Sequence, residues 1–145
     1  MKKKIYYVLP SYNEGLNLNR LLNDFKKKFK SKKIEVQIII VDDGSTDNSI
    51  EIINAFIKEK GSKKFIIKKL KHKKNLGLGR ALKTGFEYCF LKGKKDDVIV
   101  TMDTDNSHTV SLSYKMVEKI FNEKKDIVIA SRYQLNSKMK GLNYL

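Results

Sequence analysis

The sequence contains a single cysteine (Cys89), a single proline (Pro10) and only three arginines, Arg20, Arg80 and Arg132. One cysteine excludes an internal disulfide and a cysteine-based zinc site. Cys89 lies between Tyr88 and Phe90 and reads as a small buried hydrophobe. Long apolar runs are missing as well. No stretch approaches the ~20 apolar residues that span a bilayer, and Ile5–Leu9, behind Met1-Lys2-Lys3-Lys4, is too short for a signal peptide. The expectation is a cytoplasmic protein, peripheral to a membrane if it meets one. Internal repeats, low-complexity linkers and composition shifts are absent, so a single domain over residues 1–145 is expected, large enough for one core.

Acidic residues are also scarce. Sixteen Asp+Glu against 31 Lys+Arg give a net charge of +15, nearly all of it from lysine. A field of that sign attracts nucleic acid, anionic lipid headgroups or phosphorylated substrates, although a lysine-rich solvated surface accounts for it equally simply. The lysines cluster at Lys2–Lys4, Lys26–Lys33, Lys58–Lys74 and Lys92–Lys95, with only Phe29 and Phe65 among them and no regular aromatic interleaving to stack bases. Nucleic acid is therefore not expected as a partner, whereas phosphates and an anionic membrane surface are.

Short apolar runs alternate with segments of helical periodicity, which predicts an α/β fold with parallel strands. Strands are predicted at Ile5–Leu9, Val36–Val41, Phe65–Leu70, Val98–Met102 and Ile127–Ala130. Leu18, Leu21, Leu22, Phe25 and Phe29 trace one apolar helix face. Ile50, Ile53 and Ile57 mark a second helix, with Thr46, Asp47 or Asn48 as its cap. Leu78, Leu82, Gly85, Phe86 and Cys89 mark a third, and Leu112, Met116, Ile120 and Phe121 a fourth. In open α/β sheets ligands bind beyond the carboxyl ends of the strands, and the polar clusters of this sequence fall there.

Those clusters carry the chemistry. Asp103 and Asp105 follow the run Val98–Met102 with i, i+2 spacing, which turns both carboxylates to one side. Paired hard oxygen donors of this kind suit Mg²⁺ or Mn²⁺, which commonly bridges protein carboxylates to substrate phosphates. A second acidic strand end, Asp42-Asp43-Gly44-Ser45-Thr46-Asp47, is more than a turn needs, since adjacent carboxylates repel. Together the two ends suggest a nucleotide-diphosphate site. Pro10-Ser11-Tyr12-Asn13-Glu14 is either a capped strand-to-helix turn or a nucleoside contact, with Tyr12 to stack and Glu14 to accept hydrogen bonds. Asn75-Leu76-Gly77-Leu78-Gly79 begins like a dinucleotide fingerprint, but Leu82 stands where the third glycine belongs and the motif follows the wrong strand. Its glycines are better suited to close approach by a phosphate or a neighbouring loop. His108 reads as either a metal ligand or a structural hydrogen-bonder. Arg132 suits bidentate phosphate contact, or simply an exposed surface.

In order, LPSYNE (Leu9–Glu14), VDDGSTD (Val41–Asp47), NLGLGRALKTGF (Asn75–Phe86), MDTDNSH (Met102–His108) and SRY (Ser131–Tyr133) resemble the family-2 inverting glycosyltransferases, most closely the polyprenol-phosphate (dolichol-phosphate) mannosyltransferase branch. The resemblance implies a nucleotide-diphospho-sugar transferase (GT-A) fold, a Rossmann-like, mostly parallel sheet flanked by helices. It implies transfer of a hexose, mannose or glucose, from a GDP- or UDP-sugar to a polyprenyl phosphate, assisted by Mg²⁺ or Mn²⁺. Pro10, Tyr12, Glu14, Val41, Asp42 and Asp43 would hold the nucleoside. Asp103, Thr104 and Asp105 would hold the sugar diphosphate and metal, with Ser107 beside the metal, and Arg132 would meet a phosphate. Thr104 stands for the family's usual Ala and Asn106 for its usual Leu, and no proline follows His108. Relatives continue well past the SRY motif, so the acceptor side is expected from further sequence or a second chain. The alternatives are a non-catalytic nucleotide-sugar-binding fragment and a transferase acting on a glycan.

Overall fold

The computed structural model describes residues 3–59, 65–131 and 133. Four strands and four helices alternate: β1 Lys4–Ser11, α1 Gly15–Phe29, β2 Glu35–Asp42, α2 Ser49–Lys58, β3 Phe65–Lys71, α3 Leu78–Lys92, β4 Val98–Thr101 and α4 Val110–Glu123. They form one parallel sheet in the order β3-β2-β1-β4. The central strands are apolar at nearly every position because helices cover both of their faces. Ile5, Tyr7, Leu9, Ile38 and Ile40 pack against α1, α2 and α4, while Tyr6, Val8, Ile39 and Val41 pack against Ala81 and Cys89 of α3. The edge strand β3 instead alternates half-buried and exposed positions, with lysines on its open side.

The first helix buries the face its spacing predicts, Leu18, Leu21, Leu22, Phe25 and Phe29. In the other three helices the inward face matches expectation only in part: Ile53, Gly85 and Cys89 are buried as expected, and Leu82, Ile120 and Phe121 pack on the core. In α2, Ile53 is buried and Ile52 and Phe56 pack on the core, while Ile57 faces solvent. In α3 the inward face is Ala81, Gly85 and Cys89, and Leu78 is exposed. In α4 it is Val110, Ser113 and Val117, with Leu112 exposed. Close approach to the sheet selects small or β-branched side chains at these contacts, and a reading based on large apolar residues misses Ala81, Val110, Ser113 and Val117.

The strand predicted at Ile127–Ala130 does not form. This segment pairs with no strand among the described residues, and Ile127 and Ile129 are 77% and 80% exposed. An apolar run becomes a strand only when a neighbour completes its hydrogen bonds. The segment instead lines an apolar groove together with Phe86, Ile99, Met116 and Ile120, beside β4.

Gly85 tests the packing of α3 on the sheet. A Cβ there would lie 2.4 Å from Val8 Cγ1, whereas one at Gly79 meets nothing within 4 Å. Gly85→Ala is expected to destabilise the fold by about 1–3 kcal/mol in urea unfolding. Gly79→Ala should be neutral or stabilising, by up to about 1 kcal/mol.

Candidate functional site

A pocket of about 330 Å³ opens at the carboxyl end of the strands, where the loops after β1, β2 and β4 meet the start of α3. Its lining comes from Pro10, Ser11, Tyr12 and Glu14 at and after the end of β1, Asp43 after β2, Asn75, Gly77, Leu78 and Ala81 around the start of α3, and Asp103, Thr104 and Asp105 after β4. The parallel ladder places them together: Ser11 and Asp42 are register partners at the ends of β1 and β2, and Val8 pairs with Thr101 at the end of β4.

Side chains tie the first two loops to one another. Asn13, at φ 55°, accepts through Oδ1 from the Thr46 N–H at 2.8 Å, and its own N–H donates to Ser45 Oγ at 2.9 Å. Glu14 N–H donates to Ser49 Oγ and Gly15 N–H to Asp47 Oδ2. Asp47 also accepts from Ser49 N–H at 3.0 Å. Burial pushes its carboxyl up, but the Ser49 hydroxyl and the Gly15 and Ser49 amides outweigh that and hold it below the ordinary value. Asp47 thus serves the start of α2 as anticipated, and that of α1 as well.

The third loop is bound to the same frame. Thr104 is buried and donates through Oγ1 to the Pro10 carbonyl at 3.1 Å. Asn106, at φ 61°, donates through Nδ2 to the Asn17 carbonyl at 3.1 Å and to Asn17 Oδ1 at 3.2 Å. Asn17 Nδ2 in turn donates to Glu14 Oε2 at 2.7 Å. Thr104 turns inward as an anchor, so both flanking carboxylates face the pocket. They do so from a loop, because β4 ends at Thr101. Asp105 Oδ1 accepts from Ser107 N–H at 2.8 Å. The Ser107 hydroxyl and amide hold the Asp105 carboxyl below its ordinary value, with His108 adding to the effect. Asp103 is about half exposed, and His108 Nδ1 lies 3.7 Å from its Oδ2.

Asp43 is the most heavily bonded of the carboxylates that line the pocket. His72 Nδ1 lies 2.6 Å from its Oδ1, Leu76 N–H donates to Oδ1 at 3.0 Å, and Gly77 N–H donates to Oδ2 at 2.8 Å. Burial raises its pKa, but these donors outweigh burial and the net shift is downward. Gly44 beside it has φ +77°, and a Cβ there would lie 2.5 Å from the Lys74 carbonyl carbon. The loop after β3 therefore closes down on the loop after β2, a close approach that only glycine permits.

Several expected contacts fall elsewhere. Val41 and Asp42 are fully buried and do not line the pocket: Val41 belongs to the core under α3, and the Asp42 carbonyl accepts from His72 N–H. Arg132 lies outside the described residues. His72 and Asn17 escape sequence reasoning, and Asn13 and Asn106 appear in it only as a turn residue and a departure from the family's pattern, because each works through a partner on a distant loop. Among the described residues no three His, Cys, Asp or Glu side chains converge on one point. Asp103 and Asp105 alone fit a cation that takes one or two protein carboxylates and completes its shell with water and substrate oxygens, as Mg²⁺ does.

Residues 6–143 match the family model described as Glycosyl transferase family 2. Among curated relatives, the chain is 29% identical to the UDP-N-acetylglucosamine–dolichyl-phosphate N-acetylglucosaminyltransferase of Methanococcus voltae, over 97% of this chain and 56% of that protein. It is 31% identical to the dolichol-phosphate mannosyltransferase of Pyrococcus furiosus, over 95% of this chain and 36% of that protein. The chain thus spans only about a third to a half of the length of these relatives. Among solved structures, S. aureus TarS 1–349 superposes with a TM-score of 0.63 at 21% identity, covering 87% of this chain and 34% of that one. Its complex with UDP-GlcNAc gives 0.64 at 21% identity, over 87% and 33%. The fold is the nucleotide-diphospho-sugar transferase (GT-A) type that the motifs imply.

The hydrogen bonds on Asp43 have a pH signature. Its folded pKa lies below the ordinary 3.8, so the unfolded chain binds the proton more readily. The stabilisation is complete above that value and is lost as pH falls through the folded pKa. Asp43→Asn is expected to cost about 1–3 kcal/mol at pH 7 and to flatten the fall in stability below pH 4, as measured by urea unfolding across pH.

Proposed function

The chain belongs to glycosyl transferase family 2, and from that premise we propose that its pocket binds a nucleotide-diphosphate sugar, UDP- or GDP-linked, whose hexose is transferred with inversion to a polyprenyl phosphate. The observation that carries this reading is the pocket's charge. In a chain of net charge +15, four carboxylates, Glu14, Asp43, Asp103 and Asp105, line one cleft, and no lysine does. Such a cleft repels a diphosphate unless a cation lies between them. Asp103 and Asp105 are the residues that would hold Mg²⁺ or Mn²⁺, with Ser107 fixing Asp105. Bound there, the ion would stabilise charge developing on the leaving nucleoside diphosphate.

The remaining roles belong to the chain itself. Tyr12, 45% exposed at the rim, offers an aromatic face to a base. Glu14, held by Asn17, and Asp43, held by the loop after β3, offer acceptors to base or ribose hydroxyls. A phosphate acceptor has its second pKa near about 6 and is largely ionised at neutral pH. In-line attack then asks the protein for orientation and not for proton removal. The hexose of this reading is mannose or glucose, as the motifs imply, or N-acetylglucosamine, as in the name of one relative, and the lysine-rich helix ends suit an anionic membrane surface nearby. No helix among the described residues is long and apolar enough to cross a membrane.

A second reading, that the chain is the donor-binding part of a larger unit, is favoured by the β4 edge. The apolar groove there, with Ile127 and Ile129 uncovered, is a surface that further polypeptide would bury. Supplied in cis or as a second chain, that polypeptide would complete the acceptor side.

Calorimetry with UDP and GDP tests the donor site. Binding of at least one is expected with Mn²⁺ or Mg²⁺ and should weaken on adding EDTA. Asp105→Ala should abolish the metal effect without unfolding the chain. Equal affinity with and without metal would refute the role of Asp103 and Asp105. In a transfer assay with polyprenyl phosphate, the 145-residue chain should turn over poorly, and turnover should rise when the C-terminal half of a longer relative is added. Rapid transfer by the chain alone would place the acceptor site within it, and transfer to a glycan in preference to the lipid would redirect the acceptor assignment.

A further inference from the structure

His72 lies just past β3 in a lysine-rich stretch and does not line the pocket, yet it links three elements around it. Its side chain is only 11% exposed. Nδ1 lies 2.6 Å from Asp43 Oδ1, Nε2 lies 2.9 Å from Thr84 Oγ1 on α3, and its backbone N–H donates to the Asp42 carbonyl at 2.9 Å. A neutral imidazole has one donor and one acceptor nitrogen, and the partner of one sets the role of the other. Thr84 can donate its hydroxyl to Nε2, which leaves Nδ1–H for the Asp43 carboxylate.

Asp43 passes this constraint on. The carboxylate that accepts from His72 also accepts the backbone N–H groups of Leu76 and Gly77. These two residues carry the chain, through Gly77 at φ +88°, into the pocket wall at Leu78. A carboxylate offers about four lone-pair sites; three donors occupy most of them and fix the plane of the group. Its orientation and the position of the pocket lining at Gly77 and Leu78 are thus set together, with His72 as the side-chain member of the set.

We infer that His72 is a positioning residue of the donor site: oriented by Thr84, it fixes the Asp43 carboxylate and the Asn75–Leu78 wall in the geometry that receives the nucleoside part of the ligand. The inference rests on the reading of this pocket as a nucleoside-diphosphate site. A residue serving only the core would affect stability without affecting affinity, and that difference separates the two roles.

The test is calorimetric titration of UDP and GDP in the presence of Mn²⁺ into the 145-residue chain and its His72→Ala, His72→Asn and Thr84→Val variants, each followed by urea unfolding. His72→Ala is expected to weaken the preferred nucleoside diphosphate about tenfold, the scale of one lost charge-assisted hydrogen bond. His72→Asn, which keeps a short N–H donor toward Asp43, should return affinity to within about threefold of the parent. Thr84→Val should fall between them. If His72→Ala is too unstable to titrate, the other two variants carry the test. Stability lost with affinity unchanged overturns the inference, as does an Asn variant that is folded but binds no better than Ala. If the parent binds neither UDP nor GDP, the donor-site reading fails first and this inference with it. A parent that binds normally alongside unaffected variants defeats this inference alone.

Discussion

The ladder between β1 and β2 is the constraint on which the site depends. Eight residue pairs in parallel register, from Lys4 with Glu35 to Ser11 with Asp42, bring the two strands to an end side by side. Parallel strands cannot be joined by a tight turn and need a crossover, here α1. Both chains therefore leave the sheet at the same edge and in the same direction. The loops carrying Tyr12 and Glu14 and those carrying Asp43 and Asp47 emerge next to one another although about thirty positions separate them in sequence. Pairing of β4 on the other side of β1 brings Asp103 and Asp105 to the same edge. A slip of one residue in either ladder would turn Ser11 or Asp42 to the opposite face and separate the loops that share the pocket.

The ladder delivers the loops to one place, and short polar side chains then lock them. Asn13 and Asn106 both adopt positive φ, a conformation that asparagine tolerates better than most residues. Each uses the resulting outward turn to reach a different loop. Asn13 reaches Thr46, and Asn106 reaches Asn17 at the start of α1. Asp47 and Asp43 do the same with carboxylates, each taking up backbone N–H groups at a helix start that would otherwise lack partners. Pocket geometry here comes from a network of side-chain-to-backbone bonds between segments distant in sequence, which makes the rim rigid without a disulfide or an extra layer of structure.

This division explains how far the sequence could be read. The central strands were legible because burial on both faces leaves continuous runs such as Ile38-Ile39-Ile40, and α1 because its large apolar residues fall on one stripe. The segment Ile127–Ala130 has the same composition but no strand beside it, and composition cannot reveal a missing neighbour. The inward faces of α3 and α4 were read incompletely where Ala81 or Ser113 makes the contact, since small residues carry little hydrophobic signal; Gly85 and Cys89 were read correctly. At the site, Tyr12, Glu14, Asp103 and Asp105 stood out by type and position. Thr104 and Asn106 looked like minor departures from the family's pattern, yet one anchors the loop to Pro10 and the other ties it to α1. His72 had no local signal at all. Its partner Asp43 is 29 residues away, a juxtaposition that exists only once β2 and β3 are paired.

The same topology sorts the charge. In a parallel α/β sheet the strands end at one edge and the helices end at the other. Lys26, Lys27 and Lys28, Lys58, and Lys92 occupy the last turns of α1, α2 and α3, where the negative end of the helix dipole favours cations. Glu14, Asp43, Asp47, Asp103 and Asp105 gather at the other edge, near helix starts that favour anions. The net charge of +15 therefore misdescribes the pocket lining, which holds four carboxylates and no lysine, although Lys71, Lys73, Lys74 and Arg80 stand nearby in the chain, at the end of β3, in the loop after it and at the start of α3. The proposed anionic substrate, drawn in by the general field, would meet carboxylates at the end of its path. The last step of such binding would then depend on what neutralises Asp103 and Asp105, and this is the physical ground for the proposed bridging cation.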